Sequence, residues 1–325
     1  MLELLVSPFN DPYLNLAIEN QLLESLENEQ EYLFLYVNNP SIVIGRFQNP
    51  WLECSPGNRT KTSLVRRQSG GGTVYHDIGN LNFSFIRLND SYSRRKNLEI
   101  ICEIMKECRI DLQINERYDL TVNYREKTYK VSGSAFRHKK NRAFHHGTLL
   151  ISSETERLIE SITPEKQKII IKASGTSSNR SDIINLNTVL PGLTMDLVIQ
   201  AFKNWFEQEK TCRIRNWSEL EWSIFSKTEE VKKEYQILSS EDWILGKTPA
   251  FSQDISRLHF PETMGWQIRI NKGIIEKAPQ ELSFLIGIHF GRTVTEEELK
   301  LKIKNTKLFG MTDDELFSGL ISLIG

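Results

Sequence analysis

The stretch RRQSGGGTVYHDIGN, Arg66 to Asn80, lies between two apolar runs and carries three consecutive glycines, with two arginines before them and an adjacent His76-Asp77 pair after. Glycine has no Cβ, so Gly70, Gly71 and Gly72 let the chain take positive φ and let a ligand come close to backbone N–H groups. Alone, a triple glycine is more often a turn between strands than a binding loop. The flanks favour the loop: Arg66 and Arg67 can give charge-assisted hydrogen bonds to a carboxylate or phosphate, which a mere turn does not need.

Upstream, Asp11-Pro12 reads as a helix cap with proline in the first turn, and Leu14, Ala17, Ile18, Leu22 and Leu26 follow at helical spacing, so an amphipathic helix is expected to open the fold. EYLFLYVNNPSIVIGRF gives two strands, Leu33 to Val37 and Ile42 to Ile44, split by the turn Asn38-Asn39-Pro40. Downstream, LNFSFIRL is a third strand and Leu98 to Cys108 a helix. DLTVNYREKTYKVSGSAF alternates as a β-hairpin turning near Glu126, with Lys130 on its return strand, and FHHGTLLIS is a further strand. A mostly helical tract comes next; its clearest helix, TMDLVIQAFKNWFEQ, puts Leu197, Val198, Ala201, Phe202 and Trp205 on one stripe. Beyond Ser239 the texture changes: WQIRINKGIIEKA reads as a hairpin, and TEEELKLKIK and TDDELFSGLISLIG as capped helices.

The chain has 325 residues, enough for a catalytic domain and a smaller one. The expected division is 1–240 and 241–325, with a linker around 239–252. Its 41 basic and 42 acidic side chains give a net charge of −1, so no bulk field draws nucleic acid or a membrane, and any acidic partner must be met locally. The N-terminus lacks a signal-peptide pattern, and no apolar run approaches the roughly 20 residues that cross a bilayer. Four scattered cysteines without a C-x-x-C suggest neither disulfides nor structural zinc. A cytoplasmic protein is expected.

Several motif readings fail on spacing. GKT at Gly246 to Thr248 is not a Walker A end, because Glu241 stands where glycine is needed and Pro249 follows. No G-x-S-x-G accompanies Ser69, His76 and Asp77. His145-His146 lacks the spacing of a zinc helix. His76 alone is as readily a structural histidine as a ligand-binding one. Lys130 stands beside the small residues Ser132, Gly133, Ser134 and Ala135, which leave room for an anion, although most strand lysines are merely solvated. The basic run Arg137 to Arg142 reads as an exposed hairpin tip.

GRFQNPWLEC, RRQSGGGTVYHDIGN, KVSGSAFR and FHHGTLL, in this order and spacing, resemble the motifs of lipoate-protein ligases, and the opening helix and GKTPAFS agree. The resemblance spans nearly the whole chain. It implies an α+β fold, with a mixed-sheet catalytic domain of the lipoate and biotin ligase type and a small C-terminal α+β domain. It also implies a two-step enzyme: lipoate and ATP, with Mg2+, form lipoyl-AMP and pyrophosphate, and a lysine of a lipoyl domain then takes the acyl group. By the same likeness Lys130 matches the family's essential lysine, contacting both carboxylate and α-phosphate. Arg67, Gly72, Thr73, Val74 and Tyr75 match nucleotide-contacting positions; Ser69, Gly70 and Gly71 match the lipoyl-binding loop; and His76, Asp119, His146, Gly147 and Thr148 match positions near it. No carboxylate is singled out for magnesium. The implied acceptors are apo lipoyl domains of 2-oxoacid dehydrogenase complexes and the glycine cleavage H protein, with no nucleic acid or membrane partner and a monomeric enzyme. GTSSNRSDIINL, Gly175 to Leu186, resembles the family's mobile adenylate-binding loop. Tyr118 stands where ligases commonly resemble RND and lipoyltransferases, which use preformed lipoyl-AMP, carry an aromatic residue. That transferase, a cysteine-dependent octanoyltransferase and a non-catalytic lipoyl-domain binder are the alternatives.

Overall fold

The structure, a computed structural model, describes residues 1–27, 30–54, 62–162, 169–173, 175–178, 181–255 and 266–290, with single positions between 300 and 320. Its main sheet has six strands in the order Ser134–Lys139, Arg142–Leu150, Asn80–Leu88, Glu31–Val37, Leu2–Val6, Cys212–Ile214. Leu2–Val6 pairs in parallel with both neighbours, and the remaining pairs are antiparallel. The sheet is therefore mixed and the class α+β.

Strand alternation fills two cores. Along Glu31–Val37, Leu33 and Leu35 meet helices Arg94–Glu107 and Met195–Gln208 on one face. Tyr32, Phe34 and Tyr36 meet helices Pro12–Glu24, Glu219–Ser226 and Glu229–Ser239 on the other. Asp11 caps the first of these helices, its Oδ1 accepting from the N–H groups of Tyr13 at 2.8 Å and Leu14 at 3.2 Å. A three-stranded sheet, Ser63–Arg66, Ser41–Ile44, Val74–His76, carries the glycine loop between its outer strands. The hairpin Leu120–Tyr124 with Lys127–Ser132 turns where Arg125 and Glu126 take positive φ.

Several expectations are corrected. The fold opens with strand Leu2–Val6, and the helix comes second. Ser63–Arg66 and Val74–His76 are strands in their own right, so LNFSFIRL is not the third. The tract expected to be mostly helical contains strands Ile169–Ala173 and Cys212–Ile214. On Met195–Gln208 the buried side is Val198, Ala201, Phe202 and Phe206, while Leu197 faces solvent. The basic hairpin is not wholly free: Lys139 pairs with Glu24, and Arg142 Nη1 donates to the Leu23 carbonyl at 3.1 Å.

After residue 240, the strand Phe251–Asp254 pairs antiparallel with Ile169–Ala173 and with Gln267–Asn271, which forms the expected hairpin with Ile274–Lys277. Lys272 and Gly273 both take positive φ at its turn, the geometry that suits strand twist. Phe251, Ile268, Ile270 and Ile275 share one core with Ile42, Ile44 and Trp51. The two C-terminal helices expected from TEEELKLKIK and TDDELFSGLISLIG lie outside the described residues. Among the described residues no helix is long and apolar enough to cross a membrane.

Candidate active site

Strand Ser63–Arg66 delivers two consecutive arginines, and alternation sends them opposite ways. Arg66 is wholly buried: Nε donates to the Ile244 carbonyl, Nη1 to the Gln48 carbonyl and Nη2 to Thr248 Oγ1, each at 2.8 Å. Arg66 is thus not available to an anion, which corrects the sequence reading; it fastens the GKT stretch to the root of the glycine loop. Arg67 turns into the loop. Its Nε donates to Ser69 Oγ at 2.9 Å, Nη1 to the Val43 carbonyl at 2.9 Å, and Nη2 to the carbonyls of Gly70 at 2.6 Å and Gly72 at 2.7 Å. Burial holds both guanidinium groups down to about 10, still charged at neutral pH.

Gly71 takes φ +87°, which lets the loop reverse around Arg67; a Cβ there would meet Arg67 Nη2 at 3.0 Å. The loop also presses on its neighbour, since a Cβ on Gly45 would meet the Gly71 carbonyl oxygen at 2.2 Å. Beneath it runs a buried relay. His146 Nδ1 lies 3.0 and 3.1 Å from the two carboxylate oxygens of Glu19, and a carboxylate only accepts, so Nδ1 carries the proton. His146 Nε2 lies 2.8 Å from Ser69 Oγ. Ser69 is 1% exposed and its hydroxyl faces Arg67 and His146 rather than a cavity.

Above the loop is a cavity of about 320 Å³. One wall is Arg67, Gly71, Gly72, Thr73 and Val74; the opposite wall is Asp119, Lys130, Gly133, Gly147 and Thr148; Tyr36, His76, Asn82 and His146 also line it. Of the site residues expected from sequence, only Ser69, Gly70 and Tyr75 do not face this cavity. His76 Nδ1 lies 3.0 Å from Asn38 Nδ2, which can only donate, so its proton sits on Nε2, a buried donor with no partner among the described residues. Burial, with the charges of Arg67 and His146 adding, pushes His76 down to about 3, so the ring is neutral. His145, one residue from His146 and therefore on the other face, is likewise pushed to about 3 by burial, and its Nε2 lies 2.9 Å from Ser134 Oγ.

Lys130 lies where this cavity meets a second one of about 340 Å³. Thr73, Val74, Gly133 and Thr148 border both, and the second is closed by Tyr75, Leu150, Leu158, Ile159 and Ile162. Lys130 Nζ is 2.9 Å from Asp119 Oδ1. Gly133 lies beside it, where a Cβ would make ordinary contact with Lys130 Cε and Nζ at 3.5 Å. The segment Thr176–Ser178 sits over the glycine loop. Ser178 Oγ accepts from the Thr73 N–H at 2.8 Å and donates to Glu53, and Gln48 Nε2 donates to Ser178 Oγ at 3.1 Å. Gln48 and Glu53 stand in the quoted motif GRFQNPWLEC, yet their spacing gave no hint that they would meet a residue near 178. The arrangement offers two adjoining cavities with a lysine between them, room for two ligands with their anionic ends together.

The family model described as lipoyl protein ligase A/B catalytic domain matches residues 11–207. The chain belongs to this family. A lipoate-protein ligase A of Bdellovibrio bacteriovorus is 38% identical over 253 residues, covering 77% of this chain and 74% of that protein. Among solved structures, P. falciparum LipL1 in complex with lipoate is 25% identical with a TM-score of 0.62, covering 99% of this chain and 100% of that one. A lipoate-protein ligase A bound with ATP shares the fold at 23% identity and a TM-score of 0.57, covering 75% of this chain and 97% of that one.

Proposed function

We propose that the chain is an ATP-dependent lipoate-protein ligase that activates lipoate as lipoyl-AMP and passes the acyl group to a lysine of an apo lipoyl domain. The observation that carries this reading is Lys130 at the junction of two cavities, its ammonium held by Asp119. Lipoate takes the first cavity and the nucleotide the second, with Tyr75, Leu150 and Leu158 against the base and the backbone of Gly72 to Val74 beside the phosphates. Lys130 exchanges Asp119 for the carboxylate and the α-phosphate, screening the repulsion between them as the carboxylate oxygen attacks phosphorus. Pyrophosphate leaves. The acceptor amine then attacks the acyl carbonyl and AMP departs, so no enzyme nucleophile is required and position supplies the rate.

Magnesium enters as part of the ATP substrate. Among the described residues no group of three or more His, Cys, Asp or Glu side chains gathers to hold a metal. The family relation supports lipoyl domains as acceptors; the particular acceptors, the monomeric state, the cytoplasmic location and a boundary near residue 240 are part of the same proposal. Two observations weigh against the alternatives. Tyr118 lines neither cavity and packs on the apolar core beside Arg94, so it does not close the nucleotide side. No cysteine lines either cavity.

The test is pyrophosphate release from the purified protein given ATP, magnesium and lipoate, followed by mass spectrometry of an added apo lipoyl domain. The reading expects both pyrophosphate and one lipoyl mass on the acceptor. Transfer from supplied lipoyl-AMP without pyrophosphate release from free lipoate would make the protein a transferase.

A further inference from the structure

Helix Pro12–Glu24 sends two polar side chains into the core one turn apart, Asn15 and Glu19, both buried. A buried polar group is costly unless it is paired. Each of these holds one of the two histidines that line the first cavity. Asn15 Nδ2 donates to Asn38 Oδ1 at 2.9 Å, and Asn38 Nδ2 donates to His76 Nδ1 at 3.0 Å. Glu19 takes His146 directly, its two oxygens 3.0 and 3.1 Å from Nδ1. Tyr36, another lining residue, brings its hydroxyl to 3.5 Å from Glu19 Oε1.

From His146 the contacts run on into the glycine loop: Nε2 lies 2.8 Å from Ser69 Oγ, which accepts from Arg67 Nε at 2.9 Å. Carboxylate, imidazole and hydroxyl in that order have the layout of a hydrolytic triad. Ser69 is not a nucleophile here, because its side chain lies outside the cavity at 1% exposure and already accepts from a guanidinium. The row instead ties the His146 strand to the glycine loop, on the lipoate side alone. Glu19 itself lines neither cavity, and Tyr36, Arg67, Ser69 and His146 do not border the second.

We propose that Glu19 is a positioning residue for the lipoate site: it fixes the His146 ring and, through His146 and Ser69, the glycine loop, so that the first cavity keeps the shape that receives the acyl chain. The assignment rests on the reading above, in which lipoate takes that cavity and the nucleotide the other. A carboxylate only accepts, so Glu19 requires the proton on Nδ1 and thereby sets which edge of the ring meets Ser69. Without Glu19 the ring is free to turn or to carry its proton on Nε2, and the lipoate wall loosens while the nucleotide wall does not.

The test follows Glu19→Leu, Glu19→Gln and Ser69→Ala beside the unaltered protein by lipoate affinity in calorimetry, by KM for lipoate and for ATP in pyrophosphate release, and by nitrogen NMR of the His146 ring. For Glu19→Leu, lipoate affinity should weaken and its KM rise about 10- to 100-fold, the size of one lost hydrogen bond to a charged group. KM for ATP at saturating lipoate should not move, and the ring proton should pass from Nδ1 to Nε2. Glu19→Gln, whose amide oxygen still accepts from Nδ1, should keep the proton there and recover most of the lipoate affinity. Ser69→Ala breaks the same row by one buried atom and should weaken lipoate by about 10-fold, again with ATP untouched; it decides alone if Glu19→Leu does not fold. Unchanged lipoate affinity in these variants overturns the assignment, as does an equal rise in both KM values, which marks a merely structural carboxylate. If the unaltered protein binds lipoate but releases no pyrophosphate, the ligase reading falls, while affinity and the ring proton still judge Glu19.

Discussion

The glycine loop and the Lys130 strand face each other across one cavity and hold their charges in opposite ways. Arg67 is 4% exposed and bound to backbone carbonyls and Ser69, partners that cannot leave. Lys130 and Asp119 keep 25% and 14% of their side-chain surface exposed and hold each other through one contact of 2.9 Å, which a substrate anion can replace. One wall is a fixed mould and the other an exchangeable clamp. A carboxylate and a phosphate need both: a shape that does not yield and a charge that can be handed over.

The sharpest way to break the contrast is Arg67→Ala. It removes a buried guanidinium and strands several carbonyls, so stability should drop by about 3 kcal/mol or more, with activity lost as the loop opens. Denaturant unfolding measures this; a loss below about 1 kcal/mol would show that the loop is not fixed by Arg67. Gly71→Val comes next. At φ +87° a branched side chain is strained by about 1–3 kcal/mol, and its Cβ crowds Arg67 Nη2. Pyrophosphate release should vanish while circular dichroism keeps the folded spectrum, and simple unfolding would instead make the loop structural.

Acid probes the buried wall more gently. His76 titrates near 3 in the fold and near 6.5 when unfolded. The unfolded chain therefore binds more protons between those values, and stability present above about pH 6.5 is lost as the pH falls, by about 1.4 kcal/mol per pH unit for this group. His145 adds a similar slope. Melting temperatures of His76→Gln and the unaltered protein should converge as the pH drops from 7 to 4, and parallel curves would assign the acid loss elsewhere. The smallest effect is expected for Ser178→Ala, which removes the hydroxyl over Thr73 N–H; stability should change by about 1 kcal/mol or less, because the segment is partly exposed.

The fixed wall and the clamp also differ in how far sequence revealed them. Asp11-Pro12 and the Leu120–Ser132 hairpin were legible because caps and alternation are local signals. The motifs carried Lys130 and the glycine loop to one site. The strands Ser63–Arg66 and Val74–His76 were not legible, since three or four residues that include arginine or histidine show no period. Leu2–Val6 was hidden for another reason: LELLV is a short apolar run broken by Glu3, with strands on both sides, and shows no alternation to set it apart from a helix start. Long-range polar contacts left no trace. Arg66 reaches a carbonyl 178 residues away, and His146 meets Glu19 across 127 residues, so one arginine of an identical pair is structural for reasons that only the folded chain displays.

On the proposed function, the exchangeable lysine drives adenylation without holding the fold. The most direct measurement is the rate of pyrophosphate release by Lys130→Ala with ATP, magnesium and lipoate, read beside its melting curve. A loss of about 100-fold or more is expected. The stability change should stay below about 1 kcal/mol, because the ion pair is partly exposed. Unchanged pyrophosphate release, or a loss that tracks unfolding, would contradict the proposal.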